Sequence, residues 1–314
     1  MRANFRLVAI FAIICFSFSN TEAEITEVGS LDIERNYFSD VATVRLTAFC
    51  ASFNGGLYTV DVSQPAEPRL IEREPSTCTG VEARGDHAFV GRIGRSGLGV
   101  YDAQGMRYNG EPSNVRGLLI DQDLLYLTTE SDSGNMLRIL NVENPAHPEQ
   151  IGQLEVEPIE FIKPMVLIND RLYLAGSDDG EVSTIIVVDV ANPAEPELVR
   201  QIDEHQGNIV GIATDGDYLF VANQRGGHEG IQVRNFDWEL ISETQFYLHQ
   251  GLTFHEGRLY AVSSVFNDGP TFRIFDVSNP EELRVVEEYS TGRQAMECWF
   301  ADGLWYVVED GVDE

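Results

Sequence analysis

A short apolar pattern recurs along the whole chain. An aromatic residue stands among small and β-branched residues at seven positions, spaced 37 to 47 residues apart: Phe49, Phe89, Tyr126, Tyr173, Phe220, Tyr260 and Tyr306. Each lies in a short, mostly apolar run, which is typical of a buried strand. Recurrence at this spacing predicts a protein built from repeated units.

Each repeat predicts four strands. After the aromatic strand comes an alternating strand that ends in Asp or Asn, then a turn with proline, and then a polar strand typical of a sheet edge. Upstream, a first strand begins nine residues before each aromatic, at Asp40, Gly80, Gly117, Pro164, Gly211, Gly251 and Glu297. Glycine at four of these seven positions predicts a close backbone approach there.

Four short antiparallel strands per unit predict an all-β fold, a β-propeller of about seven blades. The predicted domain covers 24–314, with blades at approximately 36–74, 75–112, 113–157, 158–204, 205–248, 249–290, and 291–314 plus 24–34. Residues 26–34 match the pattern of the outer strand at 149–157, so we expect this N-terminal strand to complete the last blade. Because the last blade has sequence for only two strands, a six-bladed ring with an accessory sheet is the alternative.

The first residues have the layout of a secretory signal peptide. Arg2 and Arg6 precede an apolar run at 7–18, and Thr21-Glu22-Ala23 offers small residues before a cut. The run is too short to span a bilayer comfortably, so we expect a signal peptide over 1–23 that is cleaved on export. No second long apolar run follows. The sequence therefore predicts a secreted, periplasmic or cell-surface protein without a transmembrane segment.

The turn after the third strand has a recurring sequence. It is VDVSQPAEP at 60–68, VDVANPAEP at 188–196 and FDVSNPEE at 275–282. These elements resemble the LVIVD-repeat proteins, and the resemblance covers nearly all of the chain after the leader, although the second and fifth blades lack the Asn-Pro turn. The resemblance implies an exported β-propeller, and the family has no catalytic motif to transfer to residues of this chain.

The charge balance excludes some partners. The chain has 51 Asp and Glu against 21 Lys and Arg, a formal net charge of −30. Nucleic acids and anionic membranes are bound through positive charge, so neither is expected as a partner. A solvated acidic surface that aids solubility and a surface that captures cations both remain open.

Three cysteines follow the predicted leader: Cys50, Cys78 and Cys298. Export makes one disulfide possible, either Cys50–Cys298 or Cys50–Cys78, and both pairings remain open. No Cys/His cluster has the spacing of a structural zinc site. Acidic turns at 131–135, 177–181 and 267–269 lack the spaced ligands of a dedicated calcium loop, so weak Ca²⁺ binding is the most we expect, and no cofactor is predicted.

Propellers place ligands at the loops around one mouth of their channel. The residues that precede or begin the first strands are the candidates for ligand binding: Asp40, Arg116, Lys163, Asn208, His249, Gln250, Arg293 and Glu297. The cations Arg116, Lys163 and Arg293 make this mouth less negative than the rest of the chain, which suits an anionic ligand or an acidic segment of a partner. The same residues also have an ordinary structural role in capping strands.

The functional hypothesis is a non-catalytic binding or scaffolding module for a protein, peptide or glycan at the cell surface. No nucleophile elbow, P-loop or dinucleotide fingerprint is present, so catalysis is not predicted. One alternative is a metal-dependent hydrolase or lyase that uses Asp40, Asn208, His249 and Glu297. Another is a component of a surface assembly in which a partner strand completes the last blade.

Overall fold

The computed structural model describes residues 9–17, 24–33, 37–131, 134–156, 164–178, 182–204, 208–224, 230–245, 251–263, 272–290 and 294–310. Within these ranges all of the long regular elements are β-strands, and neighbouring strands in each sheet are antiparallel. No helix in the described ranges is long and apolar enough to cross a membrane.

Six sheets have four strands each, and each sheet comes from one continuous stretch of chain. The first three comprise β4 (Phe38–Val44), β5 (Thr47–Ser52), β6 (Gly56–Asp61) and β7 (Arg69–Glu74); β8 (Cys78–Arg84), β9 (His87–Arg92), β10 (Leu98–Asp102) and β11 (Gly105–Gly110); and β12 (Val115–Asp121), β13 (Leu124–Ser131), β14 (Gly134–Asn141) and β15 (Glu149–Glu155).

The next three repeat the same up-and-down order. They comprise β16 (Met165–Ile168), β17 (Arg171–Asp178), β18 (Val182–Asp189) and β19 (Glu197–Glu204); β20 (Asn208–Thr214), β21 (Leu219–Gln224), β22 (Gly230–Arg234) and β23 (Leu240–Gln245); and β24 (Leu252–His255), β25 (Arg258–Val262), β26 (Phe272–Asp276) and β27 (Arg284–Tyr289).

The remaining sheet is composite and has five strands. It contains β28 (Gln294–Ala301) and β29 (Leu304–Asp310) together with β1 (Ala9–Ser17), β2 (Glu24–Gly29) and β3 (Asp32–Ile33). Its main order is β2-β1-β29-β28, and β3 also pairs with β1. The inner strand β28 contacts the inner strands β24 and β4.

The fold class is therefore confirmed as an all-β propeller with four-stranded antiparallel blades, but the number of such blades is six rather than seven. This number agrees with the alternative prediction of a six-bladed ring with an accessory sheet. The expectation of seven was wrong because the last repeat contributes only two strands, β28 and β29, to its sheet. The other strands of that sheet come from the first 33 residues.

The recurring aromatics are the main contacts between sheets. All seven are buried, with at most 3% of their surface exposed. Phe49, for example, packs with Val81 and Val90 of the next blade, and Phe220 packs with Leu259 and other residues of the next blade. The pattern of one aromatic per repeat therefore corresponds to one apolar interface per pair of adjacent sheets.

The recurring sequence of the turn after the third strand has a physical explanation. The Asp or Asn that ends the third strand accepts a hydrogen bond from the backbone N–H two residues later, as in Asp276 with Ser278 (3.0 Å) and Asp189 with Ala191 (2.9 Å). The bonds to Ser278 and the ion pair with Arg284 lower the pKa of Asp276 to about 2. This Asx turn redirects the chain into the outer strand.

The three cysteines with described side chains are free and buried: Cys50, Cys78 and Cys298. Neither of the two disulfides left open by the sequence is formed. Cys298 instead lies near Thr253, with 3.8 Å between Sγ and Oγ1, and Cys78 lies near Ser76, with 3.1 Å between Sγ and Oγ.

Candidate functional site

The first strands of the sheets surround a central cavity of about 340 Å³. All seven positions at which the sequence predicts that a first strand begins line this cavity: Asp40, Gly80, Gly117, Pro164, Gly211, Gly251 and Glu297. This size lies in the range of small-molecule sites. The four glycines leave room along the wall, and the two acidic residues fill part of it.

Asp40 joins the first two blades. Its Oδ2 accepts a hydrogen bond from the backbone N–H of Val81 at 3.0 Å, and its Oδ1 accepts one from the N–H of Val41 at 2.8 Å. A Cβ added to Gly80 would lie 3.1 Å from Oδ2, so glycine at this position leaves space for the carboxylate. The close approach predicted from the glycine pattern is therefore an approach of a side chain to the backbone of the next strand.

Glu297 makes the corresponding approach on the other side. Its Oε1 accepts a hydrogen bond from the N–H of Cys298 at 3.1 Å. A Cβ added to Gly251 would lie 2.0 Å from Oε1 and 2.3 Å from Oε2, so the carboxylate occupies the space that a side chain at position 251 would need. Asp40 and Glu297 thus place two carboxylates at the wall of the cavity.

Glu82 is the third carboxyl group of the cavity, and it is not among the residues predicted from the sequence. It lies on β8 two residues after Gly80, is half-buried, and lines the cavity. Burial raises its pKa well above the usual value for glutamate, and the negative charges of Asp40 and Glu297 raise it further. Glu82 therefore keeps its proton to a higher pH than an ordinary glutamate does.

A sequence signal for Glu82 existed. Two residues after the start of the first strand, the other repeats carry Ala42, Leu119, Val166, Ala213, Thr253 and Trp299. Side chains two apart in a strand share a face, so this position faces the same way as the first one. Glu82 is the one carboxyl group in this otherwise uncharged series, and this difference is the sequence signal for the site.

Arg116 is the described cation of the cavity, and it is already paired. Its guanidinium donates to Oε2 of Glu130, at 2.6 Å from Nε and through a second contact from Nη2. Its charge is therefore largely balanced locally, and the three carboxyl groups dominate the electrostatics of the wall.

The structure brings together four of the eight sequence-predicted residues. Asp40, Arg116, Asn208 and Glu297 all line the cavity. The other four, Lys163, His249, Gln250 and Arg293, lie outside the described residues. The acidic turn at 267–269 also lies outside them, as do residues 132–133 and 179–181 of the other two turns considered for weak Ca²⁺ binding. In the described part of the chain, no three His, Cys, Asp or Glu side chains are grouped closely enough to hold a metal ion.

The thiol beside the cavity is not an activated nucleophile. Cys298 lines the cavity next to Glu297, and burial raises the pKa of its thiol well above the usual value, with the charge of Glu297 raising it further. Burial acts in the same direction on Cys50, and it raises the pKa of Cys78 to about 11. Reactive cysteines have lowered pKa values, so these thiols are structural.

Comparison with solved structures finds the same fold at low sequence identity. A functionally unknown protein from Desulfotomaculum acetoxidans has 15% identity and a TM-score of 0.60 over 90% of this chain and 95% of that one. A hypothetical selenium-binding protein from Sulfolobus tokodaii has 10% identity and a TM-score of 0.62, with 90% of both chains covered. A putative 6-phosphogluconolactonase from Bacteroides fragilis has 10% identity and a TM-score of 0.65, over 92% of this chain and 98% of that one. Identities this low establish the fold alone.

The fold and its recurring strands define a class, the repeat-built β-propellers. Within that class, residues 47–74 and 179–204 match the LVIVD repeat. The chain is therefore a β-propeller that carries LVIVD repeats at these two places, in agreement with the resemblance of its turn sequences. No curated protein sequence matches it.

Proposed function

We propose that this protein is a non-catalytic binding module that takes a cationic group, such as the guanidinium or amine of a peptide side chain, into its central cavity. The observation that carries the proposal is the placement of Asp40, Glu82 and Glu297 on the wall of one cavity of about 340 Å³. Burial raises the pKa of Glu82, and the negative charges of Asp40 and Glu297 raise it further, so an entering cation would offset the repulsion between these groups.

The charges favour a cationic ligand over the anionic one considered from the sequence. The cation of the wall with a described position, Arg116, pairs with Glu130. The chain as a whole carries a net charge of −30, which attracts cations and repels anions at long range. A protein or peptide partner with an exposed Arg or Lys fits both features.

Methylguanidine is a suitable probe, because one small monovalent cation separates binding in the cavity from general attraction to the acidic surface. Isothermal titration calorimetry at pH 8 should show one site in the native protein. Glu82→Gln should weaken binding about tenfold or more, since a hydrogen bond to a charged group is worth roughly 1.5–3 kcal/mol. The control Glu72→Gln, an exposed carboxylate on β7, should leave binding unchanged. Equal loss in both variants, or binding of inorganic phosphate instead, would overturn the proposal.

The site of action that we propose is outside the cytoplasm, at the cell surface or in the periplasm. Support comes from the LVIVD repeats, which resemble those of exported proteins. We also propose that the protein works without a bound cofactor. Elemental analysis of protein purified without added metals checks this, and a stoichiometric transition metal would favour the metal-dependent enzyme instead.

A rigid ring keeps the cavity in shape, and we propose that residues 24–34 complete the last sheet from its outer side. Support comes from Gly29, where an added Cβ would lie 2.4 Å from the carbonyl oxygen of Pro65. In the outer strand β15, an added Cβ on Gly152 would lie 2.0 Å from the carbonyl oxygen of Pro193. Gly29 therefore meets the turn of its neighbouring blade in the way that an outer strand does.

A pair of matched variants tests this placement. Gly152→Ala should lower the free energy of unfolding by about 1–3 kcal/mol, because the new methyl group meets backbone that cannot move aside easily. Gly29→Ala should cost a similar amount, measured by urea denaturation. An effect of Gly29→Ala near zero, with Gly152→Ala destabilising, would show that residues 24–34 do not hold this position.

A further inference from the structure

The third strand of the composite sheet is β1, which lies within the segment that the sequence predicts to be a cleaved leader. β1 runs antiparallel between β29 and β2, with Phe11 opposite Val308 and Cys15 opposite Leu304. Cleavage after Ala23 would remove this strand from between its two neighbours. The sequence therefore predicts that residues 9–17 are removed, whereas the structure pairs them as a strand of the last sheet.

The register of β1 is that of a regular third strand. Ile13 lies opposite the repeat aromatic Tyr306 on one side and opposite Gly29 on the other. In every other sheet a residue of the third strand lies between the repeat aromatic of the second strand and one residue of the outer strand. In the order second, third and outer strand, these residues are Phe49–Thr59–Glu72, Phe89–Val100–Tyr108, Tyr126–Ile139–Gly152, Tyr173–Val187–Arg200, Phe220–Val233–Ser242 and Tyr260–Ile274–Glu287.

An irregularity in the ladder gives a second, independent correspondence. Between Ile13 and Ile14 the register with β2 shifts by one residue. The pairing of third and outer strands shifts directly after the residue opposite the aromatic in all six four-stranded blades, for example between Val187 and Val188. A bulge fixes register and twist, so its recurrence at the same step indicates the same structural position.

Packing ties this end of the chain to both neighbouring sheets. Ile33 is 7% exposed and lies in one apolar cluster with Tyr306 and Val308 of β29 and with Tyr58 of the first blade. Val28 and Leu31 pack against the same cluster. Without β1, residues 24–33 would have no backbone connection to β29, and β29 would present an unpaired edge.

We propose that residues 9–17 are the permanent third strand of the composite sheet, and that the folded protein keeps them. The apolar run that resembles a removable leader is then the strand that connects β29 of the last repeat to the outer strand β2. The inference is independent of the ligand of the cavity, because none of the cavity residues lies in β1.

The first test is the intact mass of the folded protein recovered from the exported fraction of cells that express the full chain. A mass that includes residues 9–17 supports the proposal. A folded protein whose chain begins at Glu24 overturns it.

The second test compares purified full-length chain with the chain 24–314 by thermal unfolding. The shorter chain should melt at least about 5 °C lower, since it loses the three ladders that β1 forms with β29, β2 and β3. A synthetic peptide of residues 7–19, added in trans, should restore most of the loss. Equal melting temperatures, or no response to the peptide, would contradict the proposal.

A point variant separates strand pairing from chain length. Ala12→Pro removes a backbone donor inside β1 and should lower the melting temperature of the full chain toward that of 24–314. Asn4→Pro, which lies before β1, is the matched control and should melt like the unmodified chain. If both prolines are neutral, β1 is not a strand of the folded protein.

Discussion

Two neighbouring carboxyl groups on the cavity wall differ in what surrounds them. Asp40 accepts hydrogen bonds from the N–H groups of Val41 and Val81, which stabilise its charge. Glu82 instead faces burial and the negative charges of Asp40 and Glu297, so its pKa rises. The first group is held in place by two backbone hydrogen bonds, and the second is a proton-binding group whose proton a cationic ligand can displace.

Glu82 should make the stability of the protein depend on pH. Between the ordinary pKa of glutamate and its raised value, the folded chain binds a proton that the unfolded chain has lost, so this contribution to stability falls as the pH rises. Glu82→Gln cannot ionise, and its urea midpoint should exceed that of the native protein at pH 8 by more than at pH 4. The control is Glu72→Gln, which should show no such trend. A difference that is the same at both pH values would contradict this assignment.

The buried thiols should react slowly with thiol reagents in the native state. Because burial raises the pKa values of Cys50, Cys78 and Cys298, a thiol reagent such as Ellman's reagent should modify them slowly at pH 8 in the folded protein. In denaturant these three should react at once, together with Cys15 in a chain that keeps residues 9–17. Rapid modification of one thiol without denaturant would indicate an exposed or activated cysteine and would weaken the non-catalytic interpretation.

At the scale of the elements, each apolar interface between adjacent sheets contains one of the recurring buried aromatics. The sequence pattern alone locates these residues, because a single aromatic within an apolar run recurs at a nearly constant spacing. Phe220 is fully buried and stacks near Phe254, with 6.3 Å between ring centroids. Phe53, in the turn that follows β5, is 47% exposed.

These two phenylalanines give a matched test of the repeat interpretation. Phe220→Ala should lower the free energy of unfolding by about 3–5 kcal/mol, through lost burial and the cavity left at the interface between blades. Phe53→Ala should cost less than about 1 kcal/mol, because much of its ring already contacts water. Chemical denaturation measures both, and similar costs at the two positions would contradict the placement of the aromatics between sheets.

Some strands and turns of this fold can be predicted from the sequence, and others cannot. Local pattern locates the four strands of each repeat and the Asx turn at Asp276, since both depend on residues close in the chain. The sheet that holds β28 and β29 was harder to predict, because the strand that pairs with β29 is β1, which lies in the segment that the sequence predicts to be a leader. Glu82 was missed for a related reason: its raised pKa arises from burial in the folded ring and from the charges of Asp40 and Glu297, which lie far from it in sequence.

At the scale of the whole molecule, the ring brings carboxyl groups from distant repeats to one axis. Asp40 on β4, Glu82 on β8 and Glu297 on β28 come from three neighbouring inner strands, and Arg116 on β12 is paired with Glu130. The acidic surface attracts cations toward the ring, and the cavity offers one enclosed place for them. Rigid sheets hold these groups in place, whereas the loops are free to vary.

The most direct test of this account is the affinity for methylguanidine as a function of pH between 5 and 9. If the cation replaces the proton of Glu82, the affinity should rise with pH, and titrations in buffers of different ionisation enthalpy should detect a released proton. Glu82→Gln should bind more weakly and without that rise. An affinity that does not change with pH in the native protein, or that changes equally in Glu82→Gln, would contradict the claim that these carboxyl groups form a cation site.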